Sequence, residues 1–236
     1  MIVCAPDMTA DIAARFGLQP CLIASLSGDN FSPEARKMWR LADVGLAVAK
    51  SGAFSLGRYL TLIRRVEAHW AVVPDVFGDF RATLANWHRY SPVVARFAGP
   101  LFVAQEFHRP RIMDAVLDLV RMHVVERVAL PMHQHPDAAC ASRPRLCAER
   151  AERAMRILCG MVQHVHLLGP PLRAVRMLRN ALRQCERQGT LVSFDSAAYR
   201  RAPNSSIKRE MGGRWQPKNG REAAAMLEAW LRQALS

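Results

Sequence analysis

Eight short apolar runs, several rich in β-branched residues, recur along the chain with amphipathic stretches between them. The runs are Ile2–Ala5, Cys21–Leu26, Val44–Ala49, Trp70–Val73, Leu101–Ala104, Arg127–Leu130, His164–Leu168 and Thr190–Phe194, and their first residues lie 19 to 37 apart. That spacing is the length of one strand-plus-helix unit. Helical patterns run over about 56–68, 79–89, 110–123, 145–162, 171–188 and 221–235. Ser32-Pro33-Glu34 has the cap, proline and acid of a helix start, and predicts a helix reaching Leu41. Thr9 similarly caps a short helix that Gly17 stops. Eight such units predict an α/β chain folded as a (β/α)8 barrel. A doubly wound open sheet buries its strands in the same way, and periodicity alone does not separate the two. Nothing divides residues 1–236 into two domains, so one barrel domain is expected, with a basic irregular segment at 200–220.

The apolar share of 50% over 236 residues suffices for a large core and excludes a disordered chain. No apolar run reaches the roughly 18–20 residues of a membrane-spanning helix. Met1–Pro6 has no basic stretch ahead of its apolar residues, so no signal peptide is read. Cys4, Cys21, Cys140, Cys147, Cys159 and Cys185 are too few for a disulfide scaffold, and reduced thiols in a cytoplasmic protein are expected.

Charge narrows the partners. The net charge is +13, and 29 of the 33 cations are Arg. Arg grips phosphate with two parallel N–H donors and stacks on bases, which favours a nucleic-acid partner. Residues 143–236 carry 18 basic and 7 acidic side chains, against 15 and 13 before them.

In a barrel of this kind chemistry sits where the strands end. Those positions hold Asp7, Ser27-Gly28-Asp29-Asn30, Lys50-Ser51-Gly52, Asp75, Gln105-Glu106, His133-Gln134-His135, Gly169 and Asp195. Asp7 and Asp29 read as helix caps. Asp75 and Asp195 follow their apolar runs almost directly, which puts them at the rim. Carboxylates and an amide converging there suit a purine-like base, and a further carboxylate suits attack at an anomeric carbon. His164 and His166 share one strand face and read as core histidines. Trp39, Trp70, Trp87 and Trp230 read as core, whereas Trp215 sits among Arg, Lys and Gly as a base-stacking candidate.

Lys50-Ser51-Gly52-Ala53-Phe54-Ser55 resembles the Asp-Ser-Gly-Gly-Phe-Gln signature of the tRNA-guanine transglycosylase superfamily, and Phe194-Asp195-Ser196 through Asn204 is similar to its Phe-Asp-Cys stretch. Asp75, the Leu101–Gln105 run and His166-Leu167-Leu168-Gly169 follow in the same order as that family's base-binding elements. Val73-Pro74-Asp75-Val76-Phe77-Gly78-Asp79 and Val192–Ser196 look closest to the DpdA-type branch, which places 7-deazaguanine bases in DNA.

The resemblance implies a pentosyltransferase that exchanges guanine in DNA for a 7-deazaguanine derivative. Asp195 is the implied nucleophile, Asp75 and Gln105 read the base, and Ser51, Gly52, Phe54 and Gly169 complete its pocket. Lys50 stands where the family carries an acid/base Asp. No clustered cysteines match the family's zinc subdomain, so no metal or cofactor is expected; Cys140, Cys147, His133 and His135 read as structural or surface groups. Arg200, Arg201, Lys208, Arg209, Arg214 and Trp215 are the expected nucleic-acid contacts. DNA is the expected polymer, with tRNA and an accessory protein left open. The alternatives are a base-excising glycosylase/lyase using Lys50 and a non-catalytic nucleic-acid-binding barrel.

Overall fold

A computed structural model describes residues 1–4, 9–25, 37–44, 54–132, 144–170, 172–195 and 220–235. Eight parallel strands close into a barrel in chain order. They are β1 (Ile2–Cys4), β2 (Gln19–Ser25), β3 (Trp39–Asp43), β4 (Trp70–Val72), β5 (Gly99–Val103), β6 (Arg127–Pro131), β7 (His164–Leu168) and β8 (Leu191–Asp195). Cys4 lies opposite Asp195 and Ile2 opposite Ser193, so β1 and β8 form a ladder and no sheet edge is left. That pairing excludes the open sheet.

Seven helices surround the barrel among the described residues: α1 (Ala10–Arg15), α2 (Leu56–Arg65), α3 (Phe80–Val94), α4 (Pro110–Arg121), α5 (Pro144–Leu158), α6 (Leu172–Arg187) and α7 (Gly220–Leu235). Local chemistry accounts for several ends. Thr9 Oγ1 accepts from the Ile12 N–H at 3.2 Å, and Asp79 Oδ1 accepts from the Ala82 N–H at 2.9 Å. Each satisfies a donor that the first helical turn leaves open. No helix among the described residues is long and apolar enough to cross a membrane.

Alternate strand positions divide the core in two. Phe102, Val128, Leu167 and Phe194 pack outward under the helices, while Ile2, Leu41, Trp70, Leu101 and Ala129 fill the barrel. At the N-terminal end of the strands Trp39 and Trp70 stack with centroids 4.7 Å apart and planes 6° from parallel. Gly99 on β5 leaves the passage that the Arg127 side chain uses. A Cβ at Gly99 would stand 3.2 Å from Arg127 Nε and 3.3 Å from the His69 carbonyl oxygen.

Three expectations are corrected. The third strand is Trp39–Asp43, where a helix to Leu41 followed by a strand at Val44–Ala49 is predicted; residues 45–49 lie outside the described ones. Pairing decided this: Ile23 and Leu41 stand opposite, as do Leu41 and Trp70, and Trp39 and Leu41 turn inward as the barrel needs. Helix α3 runs past the predicted end at residue 89, through Pro92, to Val94, because Trp87 and Val94 are both buried. Cys159 and Cys185 form a disulfide between the end of α5 and α6, while Cys4, Cys21 and Cys147 are buried thiols outside any disulfide.

Candidate active site at the barrel mouth

Asp195, the last residue of β8, is held through one oxygen. Its Oδ1 accepts from the Gly169 backbone N–H at 2.9 Å and from His166 Nε2 at 3.1 Å. Gly169 adopts φ +60°, the left-handed conformation that costs a Cβ-bearing residue, and this turns its N–H onto the carboxylate. Oδ2 accepts no hydrogen bond among the described residues, and the side chain is 22% exposed at the mouth. His166 is fully buried beneath it.

Asp75 and Gln105 form a second polar centre. Gln105 is fully buried. Its Nε2 donates to Asp75 Oδ2 at 2.6 Å, and its Oε1 accepts from the Gly78 N–H at 3.1 Å, so the amide can point only one way. Burial pushes the Asp75 carboxyl pKa above its usual 3.8, and the hydrogen bond from Gln105 pulls part of that back.

The strand order sets these centres against each other. β4 and β8 are four strands apart in a ring of eight, on opposite walls. Strands spaced and tilted as in such barrels enclose a diameter of about 15 Å between backbones. Asp75 therefore follows, and Asp195 ends, strands on opposite walls of the barrel.

A third carboxylate, Asp43, ends β3. The Asp43 and Asp75 charges both add to the burial that pushes the Tyr59 phenol well above its usual range. The Tyr59 hydroxyl, 3.0 Å from the Ala42 carbonyl oxygen and 2.7 Å from that of Val72, donates between β3 and β4 below the mouth.

Below Asp195 the interior is unusually polar. His166 Nδ1 lies 2.6 Å from Ser193 Oγ, and Ser193 Oγ lies 2.6 Å from His164 Nε2. The His164 ring packs 4.4 Å from that of Trp70. Burial pushes the His164 pKa well below its usual value, and the Arg127 charge adds to the effect. The histidines thus face the barrel interior, bonded to one another through Ser193.

The structure brings Asp75, Gln105, Gly169 and Asp195 to one mouth. Phe54 instead makes its ring contacts with Tyr59 and Tyr90, at 6.0 and 5.5 Å, in the layer between strands and helices. Lys50, Ser51, Gly52, Arg200, Arg201, Lys208, Arg209, Arg214 and Trp215 lie outside the described residues. No protein-family model matches the chain, and no curated protein matches it. Among the described residues no three His, Cys, Asp or Glu side chains group as a metal site.

Sequence reasoning missed four contributors. Asp43 carries the same signal as Asp195, a carboxylate ending an apolar strand, but the misplaced third strand hid it. His166 and Ser193 were legible as polar residues at alternate positions of neighbouring apolar strands; that both face inward, and touch, was not. Gly78 acts through its backbone N–H, which side-chain chemistry does not mark.

The described basic surface lies on the flank. On α6, Arg176, Arg183 and Arg187 are exposed along one stripe and make no ion pair among the described residues. On α5, by contrast, Arg145 pairs with Glu149 at 2.9 Å and Arg156 with Glu152 at 2.8 Å. Between α1 and α7 a groove of about 550 Å³ is lined by Arg15, Arg221, Glu228, Arg232 and three alanines.

Proposed function

We propose that this barrel is a pentosyltransferase that exchanges a guanine base in DNA for a 7-deazaguanine-type base, related to the tRNA-guanine transglycosylase superfamily and closest to its DpdA-type branch. The observation that carries the reading is the Asp195 carboxylate, anchored through Oδ1 with Oδ2 accepting no hydrogen bond among the described residues, at the end of a strand opposite the one that leads to Asp75 and its partner Gln105.

In this reading a target nucleotide leaves the stack and places its base against Asp75 and Gln105. Asp195 Oδ2 attacks C1′; the C1′–N9 bond breaks, and its electron pair leaves with the guanine, which takes up a proton at N9. The incoming base loses its N9 proton and attacks C1′, and the C1′–Oδ2 bond breaks to restore the carboxylate. One proton is gained and one lost, so the exchange is balanced. An acceptor such as Asp75 suits ring and exocyclic N–H groups of a guanine-like base. Lys50 is the cation that would offset negative charge on the departing base. Phosphates would be held by Arg200, Arg201, Lys208, Arg209 and Arg214, with Trp215 stacking a base.

Two measurements test this. Nucleosides from duplex DNA and from tRNA, incubated with the protein and a 7-deazaguanine, should show the new base by mass spectrometry in the DNA. Denaturing gels should show a covalent protein–DNA adduct that disappears in Asp195→Asn, with DNA binding retained. Wild-type turnover in Asp195→Asn removes Asp195 as nucleophile. A borohydride-trapped cross-link that vanishes in Lys50→Met would replace exchange with glycosylase/lyase chemistry.

A further inference from the structure

The interior of the barrel under Asp195 holds polar groups that base exchange does not use. Ser193, His164 and His166 are all buried, and they form one chain ending on Asp195. A barrel interior is ordinarily filled with branched apolar side chains. A buried hydrogen-bonded chain is favourable only when its members are satisfied together.

The proton positions in this chain follow from one end. An ionised carboxylate can only accept, so His166 Nε2 carries the proton it gives to Asp195 Oδ1. In a neutral imidazole the other nitrogen is then a bare acceptor, so the Ser193 hydroxyl must donate to His166 Nδ1. A hydroxyl has one proton, so the Ser193 contact with His164 is one in which His164 Nε2 donates. His164 Nδ1 is left as a bare acceptor. It is the one atom of the chain that is buried with no hydrogen-bond partner among the described residues. An unfilled buried acceptor is tolerated better than an unfilled buried N–H. With the chain reversed, His164 Nδ1 would carry an N–H facing nothing. The blind end therefore sets the direction of every bond above it.

We propose that Ser193 and His164 are positioning residues, which lock His166 in its Nε2–H tautomer so that Asp195 is gripped by Oδ1 and presents Oδ2 to the mouth. Its bearing on turnover rests on the reading of Asp195 as nucleophile; the tautomer itself does not. Neither Ser193 nor His164 reaches the mouth, and each acts only through His166. Without the Ser193 hydroxyl, His166 Nδ1 loses its donor, both tautomers become accessible, and the imidazole is free to turn away from Asp195.

Long-range proton–nitrogen NMR correlations of the histidine side chains in the full chain read the tautomers directly, with His166→Gln and His164→Gln used for assignment. In the wild-type protein both rings should carry the proton on Nε2, with Nδ1 bare. Ser193→Ala should mix the His166 tautomers, and Ser193→Thr, which keeps a hydroxyl, should restore the single form. In a base-exchange assay Ser193→Ala should lower kcat by on the order of tenfold to a hundredfold, the scale of a misplaced reacting group. KM for the incoming base should not move, because Asp75 and Gln105 are untouched. A wild-type His166 protonated on Nδ1, or a Ser193→Ala protein with unchanged tautomers, overturns the proposal. If the tautomers are as stated and no exchange occurs in any variant, the positioning chain stands and the transglycosylase reading falls. If exchange occurs and Ser193→Ala leaves kcat unchanged, the chain has no catalytic bearing.

Discussion

Burial penalises the charged form of the Asp75 carboxyl, and the Gln105 amide recovers only part of that penalty. A carboxyl raised in the folded state binds more protons folded than unfolded, so its contribution to stability falls as pH climbs from 3.8 through the raised value. Above that window the folded protein carries the whole penalty. Asp75→Asn keeps an acceptor for Gln105 Nε2 and removes the charge, so at neutral pH it should stabilise the fold by about 1 kcal/mol. Thermal melts at a series of pH values check this: the gain should shrink as pH falls towards 3.8. A loss of stability at neutral pH would mean that the carboxylate is better accommodated than its burial implies. The same substitution should weaken base binding, since Asp75 is the acceptor proposed to read the heterocycle.

The helices differ in how far their charges balance. On α5 two of the four arginines, Arg145 and Arg156, are matched by Glu149 and Glu152 at i,i+4 spacing, which stabilises the helix whatever else the surface does. On α6, Arg183 and Arg187 stand four residues apart with like charge, which mildly destabilises the helix, and Glu186 is taken by the N-terminal amine of Met1. A face left uncompensated in this way suits phosphate. Affinity for a fluorescent DNA duplex should therefore fall steeply with salt. Replacing Arg176, Arg183 and Arg187 by Gln should reduce the slope of log affinity against log salt by up to about 2.7, one counterion per lost contact. An unchanged slope would put the phosphates on another face. Most element boundaries were legible because caps and stops are local chemistry, as at Thr9, Asp79 and Pro110. The third strand was not, because β pairing partners, not local propensity, made Trp39–Asp43 a strand.

Closure of the molecule depends on a seam made by its two ends. The three residues of β1 pair with β8, and outside that seam the Trp230 ring of α7 packs 5.9 Å from Phe194. Trp230 is buried, so Trp230→Ala leaves a large cavity behind the closing ladder and should cost about 3–5 kcal/mol in denaturant unfolding. A loss below about 1 kcal/mol would show that the seam holds without α7. The sequence by itself determined the eight strand-and-helix units and the polar residues that end them, because hydrophobic period and strand-end chemistry are local properties of the chain. Asp75, Gln105, Gly169 and Asp195 were legible on those grounds. Tertiary structure alone decided that Asp75 and Asp195 oppose each other, since opposition follows from the ring order of strands distant in sequence. It alone decided, too, that Ser193 joins two histidines nearly thirty residues away. A period-2 pattern marks which residues share a face; only closure and register decide which of them touch.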